Sequence, residues 1–254
     1  MVTPVHVRQS PPGPQEIANP LLTPHERARC AAFRSPLDAA RHATGRTLAR
    51  QTAAACLDVA PDRIGVALGP WGRPLIALDG VPAAWVSISH AGDVVVVAVC
   101  HQPCGVDVEE VRSLAPMTAS EVAFHPNELA ELARLEAPAA TQVAARWWTA
   151  KEAALKAAGI GMAVSPSRLD ARFEVLTVPE VEDGPTAYPG TVSDVDGARS
   201  RADAASSLAH AAGSTMSEVA PGPSRWRLRD LATAPGHHAS LATPDGLDII
   251  VLSG

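Results

Sequence analysis

The chain has 254 residues, of which 46% are hydrophobic and 19% charged, and its net charge is −6. That length suits one large domain or two smaller lobes with a real core. The acidic balance excludes a chain-wide electrostatic grip on nucleic acid, but leaves room for a local basic pocket that takes a phosphorylated small molecule. The start, "MVTPVHVRQSPPGPQE", has no hydrophobic signal core, and no run approaches the roughly 18 apolar residues of a membrane span. Cys30, Cys56, Cys100 and Cys104 form no CxxC pair and have no His at zinc-finger spacing, which argues against structural zinc. A cytoplasmic protein with reduced thiols is expected.

Residues 1–20 are rich in Pro and read as a flexible leader. An N-terminal lobe is expected over 21–102. "TPHERARCAAF" offers Thr23 as N-cap, Pro24 at the first helical position and Glu26 to close a capping box. Ser35, Pro36 and Asp38 repeat the device, and the helix they start should run to about Leu57. "IGVALGPWGRPLIAL" reads as two short strands around a Pro/Gly turn, and "AWVSISHAGDVVVVAVC" as a hairpin turning at Ala91-Gly92-Asp93.

"HQPCG" is a linker into a C-terminal lobe over 103–254, which opens with the strand "VDVEEV". "TASE", from Thr118, resembles a capping box, Pro126 should start the helix "NELAELARL", and "TQVAARWWTAKEAALKAAG" predicts a long helix capped by Gly159. Trp147 and Trp148 read as core anchors, and "RLDARFEVL" as a strand. Residues 179–224 contain one Leu and no Ile, Phe or Trp, so they read as a disordered insertion. "RWRLRDL", "HHASLAT" and "LDIIVL" are strands expected to complete a sheet. Two rounds of helix plus small sheet, before and after residue 102, suggest a pseudo-symmetric pair of α+β lobes.

Several residues carry chemistry in this frame. A strand alternates its side chains, so Asp107 and Glu109 share a face, where like charges repel. They either face water on an edge strand or meet a cation. A third carboxylate, from a helix, would complete a hard oxygen site for Mg²⁺. Glu152 and Lys156 stand at i, i+4, the spacing of a helix-stabilising ion pair. His90 closes "SISH" at a strand end, Arg73 sits in a turn able to aim a guanidinium at phosphate, and Arg41 has the default reading of a surface charge.

The order of these pieces is informative. "GRP", "SISHAG", "GVDVE", "FHPNE" and "WWTAKEAALKAAGIGM" follow one another as in the Sfp-type 4′-phosphopantetheinyl transferases, which the chain resembles from about Thr23 to Asp170. The resemblance implies an α+β fold of two similar lobes, each a small, mainly antiparallel sheet packed with helices. It implies transfer of 4′-phosphopantetheine from coenzyme A to a serine of acyl or peptidyl carrier proteins, with release of 3′,5′-ADP. By resemblance Asp107, Glu109 and Glu152 look like ligands of Mg²⁺, with Mn²⁺ as the alternative ion, and Glu152 and Lys156 like the catalytic pair. Ser89 and His90 look like coenzyme A phosphate contacts, Gly72, Arg73 and Pro74 like the loop beside the adenine and phosphates, and Arg41 like the 3′-phosphate contact. A monomer is implied, without nucleic-acid or membrane partners. The helical stretch 124–135 is a candidate docking surface for the carrier, with plain helix packing as the rival reading.

Some features depart from the pattern. The 179–224 insertion is longer than a compact member needs, and Met162 stands where Leu is expected, read as a packing change. Glu110 points away from Asp107 and Glu109 by alternation and is left out of the metal set. Two rival functions stay open: a coenzyme A or nucleotide-binding module without transferase activity, and a Mg²⁺-dependent phosphodiesterase. The acidic set argues against the first, and the net charge of −6 against a DNA-binding form of the second.

Overall fold

The computed structural model of the protein describes residues 4–69, 72–179, 181, 224–244 and 247–252. Helix starts follow their caps. Thr23 and Glu26 form the capping box that opens α1, Pro24–Ala32. Ser35 accepts from the Asp38 N–H to start α2, Pro36–Leu57. His125 and Glu128 close a second box on α3, Pro126–Leu132. α4, Ala137–Ala158, ends where Gly159 turns left-handed at φ 72°, a conformation that favours glycine.

The strands among the described residues form two sheets. The first combines β1 (Val5–Ser10), β2 (Ile64–Leu68), β3 (Pro74–Leu78), β4 (Val81–Ala91), β5 (Val94–Cys100) and β10 (Ile249–Leu252), in the order β10-β1-β5-β4-β3-β2. Its pairs are antiparallel except β1 with β10. The second combines β6 (Gly105–Glu110), β7 (Val175–Val178), β8 (Ser224–Leu231) and β9 (His237–Thr243), in the order β6-β9-β8-β7, all antiparallel.

β5 is buried along its whole length because both of its faces are covered. Val95, Val97 and Val99 pack with Leu48, Ala49 and Ala53 of α2. Val94, Val96, Ala98 and Cys100 pack on the other side with Val106 and Val108 of β6 and Ala239 and Leu241 of β9. α4 covers the far face of the second sheet, with Ala144, Ala153 and Ala157 among Leu176, Trp226 and Ala242. The order of layers is therefore helix, sheet, sheet, helix, with one 22-residue helix on each outer face. The open edge of β6 is not left as a bare ladder. Ser87 of β4 accepts from the Val106 N–H at 2.9 Å, and Ser89 from the Val108 N–H at 3.4 Å.

Several expectations change. The described part of the expected 1–20 leader, residues 4–20, is not loose: residues 5–10 form β1 between β5 and β10, and the Gly13 N–H donates to Thr44 of α2 at 3.0 Å. Val5 and Val7 alternate into the core while His6 and Arg8 do not, a strand pattern that the surrounding prolines obscure. β10, assigned to the C-terminal lobe, crosses back to the first sheet. No helix follows "TASE": Thr118 closes a 3-10 segment, Val111–Met117, by donating to the Ala115 carbonyl. The strand expected from Arg168 is confined to Val175–Val178, because Asp170 accepts from the Arg172 N–H and side chain and turns the chain there. Met162 is 65% exposed, so it is no packing change. Apart from residues 179, 181 and 224, the 179–224 insertion lies outside the described residues.

Candidate active site

β6 and α4 meet backbone to backbone. A Cβ on Gly105 would lie 1.9 Å from the Ala153 carbonyl oxygen and 2.5 Å from the Ala157 nitrogen. Only glycine allows that approach. It sets the Asp107 and Glu109 face of β6 against the Glu152 and Lys156 face of α4.

Asp107 is 3% exposed, and its Oδ1 is the hub of the cluster. Lys156 Nζ donates to it at 2.6 Å and Ser89 Oγ at 2.7 Å, while Lys156 also donates to Ser89 at 3.0 Å. Asp107 Oδ2 is buried without a partner. Lys156 therefore reaches across to β6 rather than pairing along its helix with Glu152. Burial, with the Asp107 charge second, pushes the Glu109 carboxyl up to about 7, although an indole N–H from Trp148 opposes the shift. The same two causes raise Glu152, and Lys156 opposes them. Two partly buried carboxyls thus have raised proton affinity beside a buried carboxylate.

The strand pairing places Ser240 opposite Asp107 and His238 opposite Glu109. Thr149 of α4 stands 2.8 Å from Ser240 Oγ and 2.9 Å from His238 Nδ1, tying α4 to β9 below the cluster. Glu110 lies on the other face, where it accepts from Arg112.

His90 follows Ser89 on β4 and so points to the opposite face, toward α2. There Arg41, His42, Gly45 and Arg46 of α2 line a cavity of about 230 Å³ with Leu68, Gly72, Pro74, Ile88 and His90. Arg41 donates twice to the Gly92 carbonyl, at 2.6 and 3.1 Å, and once to Asp38 at 2.9 Å, which fixes its guanidinium at the rim of the hairpin. Burial lowers the His42 pKa to about 4, helped by Arg46. Burial lowers His90 too, followed by Arg41. At neutral pH the cavity therefore presents two guanidiniums and two neutral imidazoles.

Of the residues expected around coenzyme A, Arg41, Gly72, Pro74 and His90 meet at this cavity. Ser89 and Arg73 do not. Ser89 belongs to the carboxylate cluster. Arg73 folds over the Trp85 ring at 4.3 Å, donates to the Cys104 carbonyl at 3.4 Å and lies against Gly159. A guanidinium at the C-terminal end of α4 is favoured by the helix dipole. Asp107 and Lys156 are in direct contact, and Glu109 and Glu152 stand within reach of their charge. Sequence reasoning missed His42, Arg46, Trp148, Thr149 and His238. The i, i+4 spacing of His42 and Arg46 was the available signal for two of them. In the 124–135 stretch Phe124, Glu128 and Leu132 are buried, which favours helix packing for those residues.

An acidic cluster holding one lysine lies behind Ser89, and a basic cavity lies behind the next residue, His90. Comparison with known proteins supplies the family. The description "4′-phosphopantetheinyl transferase superfamily" matches residues 103–205, and "4′-phosphopantetheinyl transferase, N-terminal" matches residues 12–102. The 4′-phosphopantetheinyl transferase psf-1 of Bacillus pumilus is 30% identical over 160 residues, covering 62% of this chain and 66% of that protein. A 4′-phosphopantetheinyl transferase of Bacillus subtilis is 27% identical over 153 residues, covering 60% and 67%. Sfp of Bacillus subtilis strain 168 is 27% identical over 143 residues, covering 56% and 62%. The chain thus matches 62% to 67% of the length of these relatives. A solved holo-ACP-synthase from Plasmodium yoelii has a TM-score of 0.31 at 12% identity, covering 39% of this chain and 94% of that one. The chain belongs to the Sfp-type 4′-phosphopantetheinyl transferases.

Proposed function

We propose that this chain moves 4′-phosphopantetheine from coenzyme A to the serine of an acyl or peptidyl carrier protein, releasing 3′,5′-ADP. The observation that carries the reading is the pair Ser89 and His90. One reaches the Asp107–Lys156 cluster and the other the Arg41–Arg46 cavity, so a ligand with two separate phosphate groups can engage both.

The carboxylates fit a hard divalent cation such as Mg²⁺ or Mn²⁺. The donors are all oxygens, and Asp107 Oδ2 is buried without a partner. Among the described residues no three His, Cys, Asp or Glu side chains stand gathered to hold an ion, and Asp107 carries the Lys156 ammonium instead. Asp107, Glu109 and Glu152 would hold the cation, which when bound offsets charge building on pyrophosphate oxygens.

The chain's own groups do the rest. Arg41 and Arg46 bind the phosphate monoester of the donor, and the neutral His42 and His90 offer hydrogen bonds without adding charge. Lys156 steadies the leaving phosphate. Glu152, whose proton affinity burial raises, takes the proton of the attacking serine hydroxyl.

Glu152→Gln tests this directly. Turnover should fall by about 10²- to 10⁴-fold, the usual worth of a positioned base. Unchanged Mn²⁺ affinity in that variant assigns Glu152 to the proton, and lost affinity assigns it to the metal. Unchanged turnover contradicts the reading.

A further inference from the structure

We infer that Lys156 keeps the cation's place on Asp107: its ammonium neutralises the carboxylate until a divalent ion arrives, and gives way when one binds. The inference rests on the metal reading above.

Three features support it. First, the Asp107 side chain is 4% exposed, and a carboxylate so buried is costly without a positive partner. Lys156 supplies one at 2.6 Å, helped by the Ser89 hydroxyl at 2.7 Å. Second, the balance is incomplete. One ammonium serves a face that carries three carboxyl groups, it touches Asp107 through Oδ1, and Oδ2 is buried with no partner. A dication corrects that deficit, and an ammonium cannot. Third, the two partners differ in mobility. Asp107 is fixed in β6, between β9 and the serines of β4. Lys156 is 32% exposed and sits in the last turn of α4 on a flexible stem. The ammonium can therefore move while the carboxylate stays.

The two cations compete for the charge of one carboxylate, so release of Lys156 and metal binding are coupled. A phosphate that draws the ammonium off Asp107 tightens metal binding, and metal binding frees the ammonium for that phosphate, by the reciprocity of linked equilibria. On this account Lys156 delivers its charge to the donor only after the site is loaded.

The test measures Mn²⁺ affinity by electron paramagnetic resonance, at fixed pH and without coenzyme A, in the wild type, Lys156→Met and Lys156→Gln. A second arm needs no variant: the acetylation rate of Lys156 in the wild-type protein, read by mass spectrometry with and without Mg²⁺. We expect Lys156→Met to bind Mn²⁺ about five-fold or more tightly than wild type, the lower end of ordinary coupling between sites. Lys156→Gln should fall between them, and Mg²⁺ should speed acetylation. Measurable Mn²⁺ binding with equal or weaker affinity in both variants, and no effect of Mg²⁺ on acetylation, overturns the inference and leaves the metal reading standing. No Mn²⁺ binding to any of the three proteins removes the metal reading, and the inference with it.

Discussion

Arg46 and His42 stand one helical turn apart on α2, and their setting explains both their chemistry and their invisibility in sequence. Arg46 reaches 3.7 Å from Glu26, whose stronger partner is Arg50 at 3.0 Å. On a helix, basic residues at this spacing look like ordinary surface charge. The opposing wall, with Pro74, Ile88 and His90, comes from two distant strands. Arg46→Leu should raise KM for coenzyme A about tenfold, equivalent to about 1.4 kcal/mol, with a smaller effect on dephospho-coenzyme A. Steady-state kinetics with both donors checks this, and equal losses would place Arg46 away from the 3′-phosphate. His42 gives a pH signature. Its folded pKa, about 4, lies below the ordinary 6.5, so the unfolded chain binds the extra proton between those values. Stability is then full above about 6.5 and falls as pH drops toward 4. His42→Asn should flatten the acid side of a Tm-versus-pH curve in that window. The cluster residues were more legible: strand alternation put Asp107 and Glu109 on one face, and motif order joined them to Glu152 and Lys156, whereas Ser89, expected beside coenzyme A phosphate, joins Asp107 and Lys156 instead. The destination of Arg73 was not, because its partner is the far end of α4.

At the scale of elements, the catalytic geometry depends on how closely β6 can approach α4. Gly105→Ala places a methyl group 1.9 Å from the Ala153 carbonyl, so strand and helix must separate. Overpacking of this kind costs about 1–3 kcal/mol, and for a protein of this size each kcal/mol lowers Tm by about 2–4 °C. Turnover should fall further than stability alone accounts for, because Asp107 and Lys156 move apart. Thermal melting read beside kcat checks it, and an unchanged kcat would show that the cluster tolerates the shift. Helix boundaries were readable because caps are local chemistry: Thr23 with Glu26, Ser35, and Gly159 need no distant partner. β1 was not readable in the same way, since Val5 and Val7 gain their meaning from β5 and β10, strands about 90 and 240 residues away.

Across the whole molecule, two outer helices enclose two sheets whose shared apolar layer joins β5 to β6 and β9. The groups of the candidate site collect where β4 of one sheet runs beside the edge strand of the other. Neither sheet alone holds the set: Ser89 and His90 come from the first, Asp107 and Glu109 from the second, and Lys156 from the helix behind it. The alternation of helix and small sheet made the α+β plan with mainly antiparallel sheets legible, but the return of β10 to the first sheet was not, because a four-residue strand can pair with either. The central claim is transfer to a carrier serine, and the intact mass of apo acyl and peptidyl carrier proteins tests it most directly. After incubation with this protein, coenzyme A and Mg²⁺, the account predicts a gain of one phosphopantetheinyl group, abolished by EDTA and by Asp107→Ala. No gain on any carrier, with coenzyme A bound and the protein folded, would contradict it.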